Sequence, residues 1–201
     1  MKNHYPHLEV QGIKEKKVLK VIRSLPRELF VSQELKEIAY IDSALPICCK
    51  QTISQPFIVA YMTEKLELKP NDNVLEIGTG SGFQTGVLSQ LVQEVYTVEI
   101  HNELSKQAQQ TLSKLGLQSI KYKIGDGKKG WQEFAPFDKI IVTALAQEIP
   151  LDLINQLKIG GKMILPLKVS ENEDFLFLIN KLENNKLEKK QLIQIRFVNL
   201  V

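Results

Sequence analysis

The sequence predicts an α/β fold: a doubly wound, mostly parallel sheet with an N-terminal helical preface and a C-terminal antiparallel hairpin. Three observations carry this reading. Residues 74–165 alternate short apolar runs with amphipathic stretches, the pattern of βαβ units. Residues 1–50 carry apolar residues at helical spacing. Beyond residue 174, two apolar runs flank a polar turn with no helix between them.

The elements follow in chain order. Val18, Leu19, Ile22 and Leu25 recur at near-helical spacing until Pro26 interrupts them. Residues 30–47 are less regular. Ile53, Phe57, Ile58, Tyr61, Met62 and Leu66 predict one face of a second helix, with Pro56 in its first turn and Lys69-Pro70-Asn71-Asp72 as its stop. Strands are expected at 74–77, 95–99, 120–124, 139–142 and 163–165, and helices at 83–92, 102–116 and 148–157. Runs 175–182 and 191–198 then form the hairpin around Glu183-Asn184-Asn185-Lys186. Lys181, Glu183, Lys186, Glu188, Lys189 and Lys190 read as a solvated turn and edge protection. No repeat or linker divides the chain, so a single domain is expected, with residues 1–70 covering substrate and cofactor and 71–201 forming the core.

Composition narrows the function. With 201 residues, 43% of them hydrophobic, the chain can bury a sizeable core. Its 26 Lys+Arg against 23 Asp+Glu give a net charge of +3, too slight to grip a phosphate backbone, so no nucleic-acid partner is expected. The N-terminus lacks the apolar core of a signal peptide, and no apolar run approaches the roughly 18 residues of a membrane span. A cytoplasmic protein without membrane attachment, most simply a monomer, is the expectation. The two cysteines, Cys48 and Cys49, are neighbours and form no disulfide framework. Without histidine or further cysteine beside them they make a poor metal site, so no metal is expected and they read as packing residues.

The strongest local signal is Glu76-Ile77-Gly78-Thr79-Gly80-Ser81-Gly82, which follows an apolar strand and opens a helix. Glycines there let backbone approach a ligand closely. Phe83 stands where a dinucleotide fingerprint places its third glycine, and no Lys-Ser/Thr pair follows, which argues against a pyrophosphate cradle. Glu99, at the end of the next strand, suits ribose hydroxyls, or serves as an acid at the following helix start. Asp126, in Gly125-Asp126-Gly127, suits the adenine amine, or is a turn residue. A nucleoside site with acids and no phosphate partner fits S-adenosylmethionine.

These residues resemble a family. Leu75-Glu76-Ile77-Gly78-Thr79-Gly80-Ser81-Gly82-Phe83-Gln84, the earlier Leu45-Pro46-Ile47 and Gln51-Thr52-Ile53-Ser54-Gln55-Pro56, and the later Ala135-Pro136-Phe137-Asp138-Lys139-Ile140-Ile141-Val142-Thr143-Ala144 look like protein-L-isoaspartate O-methyltransferase. Gln156-Leu157-Lys158-Ile159-Gly160-Gly161-Lys162 and Arg196-Phe197-Val198 extend the similarity almost to the end. The resemblance implies a Rossmann-like methyltransferase that moves a methyl group from S-adenosylmethionine to the α-carboxylate of L-isoaspartyl residues in damaged proteins and peptides. It implies Ser54 as the active-site serine. Gln51, Thr52, Ile53, Glu76, Gly78, Thr79, Gly80, Ser81, Gly82, Glu99, Asp126 and Gly127 would line the cofactor site, and Pro46, Ile47, Ser54, Gln55 and Val198 the acceptor site. From the residues alone, Ser54 also reads as a helix N-cap.

A carboxylate acceptor, with a free pKa of about 3.5, is already ionised at neutral pH and needs no general base. That suits a chain whose three histidines, His4, His7 and His101, form no catalytic constellation. The alternatives are a methyltransferase of the same fold with another acceptor and a relative that binds the cofactor with weakened catalysis. Relatives have glycines where this chain reads Ile47-Cys48-Cys49-Lys50, and a proline at Asn199. Trp131 reads as a packing residue or a stacking platform.

Overall fold

The structure is a computed structural model and describes residues 4–200. The chain opens with α1 (His7–Val10) and α2 (Lys16–Ser24), followed by 3-10 turns at Arg27–Phe30 and Gln33–Ile38. Val18, Leu19, Val21 and Ile22 form the buried stripe of α2, and Leu25 continues it up to Pro26. A short antiparallel ribbon of β1 (Leu45–Pro46) and β2 (Thr52–Ile53) then leads into α3 (Pro56–Lys65).

The buried face of α3 differs from the expected one. Val59, Ala60, Met62 and Thr63 are buried, whereas Phe57, Ile58 and Tyr61 are only half-buried and Ile53 lies in β2. The helix is covered on two sides: Val59 and Ala60 pack with the stripe of α2, and Met62 packs with Val74, Ile141 and Ile164 of the sheet. A single apolar stripe cannot describe a helix held between two layers.

The sheet comprises β3 (Asn73–Ile77), β4 (Glu94–Glu99), β5 (Ile120–Ile124), β6 (Phe137–Val142), β7 (Leu157–Lys168), β8 (Asp174–Lys181) and β9 (Leu187–Ile195). Between them run α4 (Phe83–Ser89), α5 (Asn102–Lys114) and α6 (Leu151–Gln156). The spatial order is β5-β4-β3-β6-β7-β8-β9; the first five strands are parallel, and β8 and β9 form the antiparallel hairpin foreseen from sequence. The order reverses between β3 and β6, so their carboxyl ends open a crevice, the place where doubly wound sheets bind ligands.

Side chains alternate across the strands. Leu75, Ile77, Tyr96 and Val98 pack with Phe137, Ile140 and Leu153 on one face; Val74 and Val95 pack with Met62 and Leu88 on the other. The period of two therefore turns Glu76, Thr97 and Glu99 toward the second face, that of α3 and α4. Trp131 packs edge-on against Tyr96 and Phe134, with ring centroids 5.9 and 5.1 Å away.

Lys181 is not part of the solvated turn. It is buried, and its ammonium donates to the carbonyls of Ile154 and Leu157, both at 2.8 Å. It thus satisfies carbonyls that the end of α6 leaves open, while Lys186, Glu188, Lys189 and Lys190 remain at the surface.

Candidate active site

The glycine turn begins as β3 ends. Gly78 has φ +95°, and a Cβ there would stand 2.4 Å from Thr143 Oγ1. Thr143 follows β6, and its hydroxyl lies 2.9 Å from the Ile77 carbonyl and 2.7 Å from that of Gly78, bracing the turn across the crevice. The Gly80 amide donates to Glu99 Oε2 at 2.8 Å. Gly82 lies outside the cleft lining; a Cβ on it would sit 3.0 Å from that of Ala108, so its role is the close approach of α4 to α5.

Glu99 is nearly buried at the end of β4. Its other oxygen accepts from the His101 amide, at the N-cap of α5, at 2.9 Å. The carboxylate thus holds the start of α5, as one reading of the sequence expected, and also lines the cleft. Two backbone donors leave about two of its four acceptor positions for a ligand.

Glu76 occupies a different place from the one expected. It is fully buried beneath the glycine turn and outside the cleft lining. One oxygen accepts from Thr85 Oγ1 at 2.5 Å and Thr97 Oγ1 at 2.7 Å, and Thr97 in turn meets the Thr79 hydroxyl at 2.6 Å. The other oxygen has no partner among the described residues. Burial pushes the carboxyl up to about 8 although both threonines pull it down. Glu76 is thus a mostly protonated support for the turn. Asp126 is likewise outside the lining: it caps the 3-10 turn Gly127–Lys129, accepting from the Lys128 amide at 2.9 Å. Gly127 does line the cleft.

Ser54 stands between β2 and α3. It is not the N-cap: Gln55 holds that position, and its side chain makes no capping bond to the helix. The capping is done from outside by Asp42, whose Oδ1 accepts from the Phe57 amide and whose Oδ2 accepts from Gln55 Nε2, both at 2.9 Å. The Ser54 hydroxyl makes no hydrogen bond among the described residues, while its carbonyl accepts from Arg27 Nη2 at 3.0 Å. Arg27 is wholly buried and also donates to the carbonyls of Ala39 and of Ser43, the latter at 3.0 Å. Asp42, Arg27 and Thr143 escaped sequence reasoning as site residues. Only the adjacency of Thr143 to an apolar strand marked its place, and nothing local marks the other two.

These elements enclose a cleft that opens to solvent, with about 750 Å³ of empty space counted out to its mouth. Gln51, Thr52, Ile53 and Ser54 form one wall, and Gly78, Thr79, Gly80 and Ser81 the floor; Glu99, Thr143, Val198 and Asn199 complete it. Among the described residues, its lining contains no lysine or arginine. Thr52 and Ser54 also border a wider groove that holds Asp42, Gln55 and Arg196. Pro46 and Ile47 face neither; they border a third hollow with Cys48 and Ser81. A neutral cleft with one acidic anchor accommodates a nucleoside and offers a phosphate no cation.

The family model described as protein-L-isoaspartate(D-aspartate) O-methyltransferase matches residues 3–201. The chain belongs to this family. A protein-L-isoaspartate O-methyltransferase of Dictyoglomus turgidum is 48% identical over 193 residues, spanning 96% of this chain and 87% of that one. Among solved structures, a protein-L-isoaspartate O-methyltransferase superposes with a TM-score of 0.87 at 29% identity, over 98% of this chain and 64% of that chain's length. A Plasmodium falciparum chain described as a candidate member, solved in complex with S-adenosyl-L-homocysteine, gives 0.85 at 25% identity over 100% of this chain and 99% of the other.

Two positions at which the sequence reading expected other residues in this family acquire a physical setting. Cys49 and Lys50 have φ of 57° and 56°, the left-handed region that glycine enters most easily. Asn199 pairs with Leu145 through its neighbours, the Leu145 amide donating to the Val198 carbonyl at 2.7 Å and the Leu200 amide to the Leu145 carbonyl at 2.8 Å. That bridge does not use the Asn199 amide, so a proline there breaks none of it.

Proposed function

We propose that this chain methylates the α-carboxylate of L-isoaspartyl residues in proteins and peptides, with S-adenosylmethionine as donor. The supporting observation is the wall shared by two concavities: Thr52 and Ser54 border both the neutral cleft and the wider groove. The cleft suits the donor. Its glycine floor admits close approach, and Glu99 accepts hydrogen bonds from ribose hydroxyls; the absence of cationic side chains matches a ligand without phosphates. S-adenosylmethionine supplies, when bound, an electrophilic methyl group on a sulfonium centre.

The chain's own residues have a task of placement. An acceptor carboxylate with a pKa of about 3.5 arrives ionised, so no side chain need remove a proton. The Ser54 hydroxyl, uncommitted because Asp42 caps α3 in its stead, donates to the acceptor oxygen from the groove side and orients it. Removal of water from that oxygen by the apolar wall of Ile53, Val59 and Val198 raises its reactivity. The following backbone amide nitrogen then attacks the ester carbonyl without the enzyme, expelling methanol to leave a succinimide, which water reopens in part as aspartate.

Residues 1–70 act on this reading as the part that covers substrate and cofactor, joined to 71–201 in one domain. The net charge of +3 supports a function without nucleic acid. Among the described residues, no helix is long and apolar enough to cross a membrane. Adjacent free thiols suit a reducing, cytoplasmic setting, and we take the working unit to be a monomer.

The test offers the enzyme paired peptides that differ only in Asp or isoAsp, with methyl-labelled donor, and counts base-labile methyl groups. Label confined to the isoAsp peptide is expected, and equal label in both refutes the assignment. Ser54→Ala should lower turnover by about 10–150-fold, the worth of a hydrogen bond to a charged group, with donor affinity intact.

A further inference from the structure

Cys48 and Cys49 stand outside the cleft, on the turn that joins β1 to β2. We propose that Cys48, Cys49 and Glu103 form a site for one thiophilic divalent cation of the zinc class, which fastens this turn to the first turn of α5. Read in isolation the cysteines lack a third ligand; the fold brings one from 54 residues further along the chain. Adjacent side chains of an extended strand point apart, yet here the two Sγ atoms converge to 3.6 Å, and Cys49 Sγ lies 4.0 Å from Glu103 Oε2. Tetrahedral bonds of about 2.3 Å to sulfur and about 2.0 Å to oxygen require separations of about 3.8 Å and about 3.5 Å. One donor atom from each of the three residues lies within 4.8 Å of the others. Small side-chain rotations therefore complete the set.

Two further observations support it. Gln107, one helical turn beyond Glu103, donates through Nε2 to Glu103 Oε1 at 3.3 Å, which leaves Oε2 facing the sulfurs; its Oε1 accepts from the Cys48 thiol at 3.6 Å, a bond given up when that thiol loses its proton to the metal. Such a partner orients a ligating carboxylate and is a regular part of metal sites. Second, Cys49 and Lys50 hold positive φ with Cβ atoms present, a conformation that is unfavourable unless its surroundings compensate. Bonds to a shared cation would do so. On binding, each thiol releases its proton to solvent and forms a metal–sulfur bond; no electron is transferred. Both cysteines are half-buried and Glu103 is exposed, so a cation reaches them from solvent, and water fills the fourth position.

The experiment titrates the full-length protein, held reduced by a phosphine, with Cd²⁺ and separately Co²⁺, following thiolate-to-metal charge-transfer absorption and the melting temperature. We expect one equivalent bound and a rise in melting temperature with Cd²⁺. Cys48→Ser and Cys49→Ser should each abolish the band. Glu103→Gln, a change at an exposed position, should weaken binding by at least the roughly 10–100-fold that loss of an outer partner produces. No band at stoichiometric metal would overturn the proposal. So would a band that persists in the double serine variant, or undiminished affinity in Glu103→Gln. The readout is independent of methyl transfer.

Discussion

Glu76 and Glu99 show what decides the role of a single residue. Both are acids near the ends of parallel strands on the same face, and sequence reading gave both to the ligand. Glu99 is the last residue of β4 and reaches the cleft; Glu76 lies one residue inside β3, between β4 and β6, and its carboxyl ends among threonines under α4. That single step along a strand separates a carboxylate that lines the cleft from a buried support, and no local pattern encodes it. Glu99→Ala should weaken donor binding by about 1–3 kcal/mol, the loss of charge-assisted hydrogen bonds. Calorimetry checks this, and unchanged affinity would remove Glu99 from the ribose site.

At the scale of elements, α3 is the instructive case. Its existence and its proline start were legible from Pro56 and the apolar spacing, but its buried face and its cap were not, because both depend on partners distant in sequence. Asp42, 15 residues before Phe57, supplies the cap. Although burial works against it, hydrogen bonds from the Phe57 amide and from Gln55 and Gln11 hold its carboxyl below the ordinary range. Asp42→Ala should lower stability by about 0.5–2 kcal/mol, read from the urea midpoint at neutral pH. Because the depressed pKa makes this contribution fade as the carboxylate protonates in acid, the difference from the parent should shrink toward low pH. An unchanged midpoint would show that α3 needs no external cap. Lys181 teaches the same lesson: a lysine in a charged run is read as solvated, and only the neighbouring end of α6 draws it inward.

For the whole molecule, the sheet was the most legible feature. Alternation of strand and helix patterns gave the parallel core, and the helix-free tail gave the hairpin, since both follow from periodicity alone. What periodicity could not supply was the protonation of the interior. With Glu76 pushed up to about 8 by burial, the folded chain keeps a proton that the unfolded chain releases near 4.5. The Glu76 site thus binds more proton in the folded state between these values, and its contribution to stability falls as pH rises from 4.5 to 8, by up to about 1.4 kcal/mol per pH unit. Glu76→Gln, which never ionises, should lose that slope. Parallel stability profiles for the two proteins over this range would show that Glu76 ionises normally.

The proposed role of the Glu99 carboxylate has a consequence for ligand capture. The Gly80 and His101 amides hold both of its oxygens, so the protein's own backbone sets its rotamer. Association then forfeits little side-chain freedom at this anchor, and the free energy of contact goes into affinity instead of into ordering the receptor. On the proposed function, the acidic side of the pocket is therefore a lock already cut, not a mould shaped by its guest.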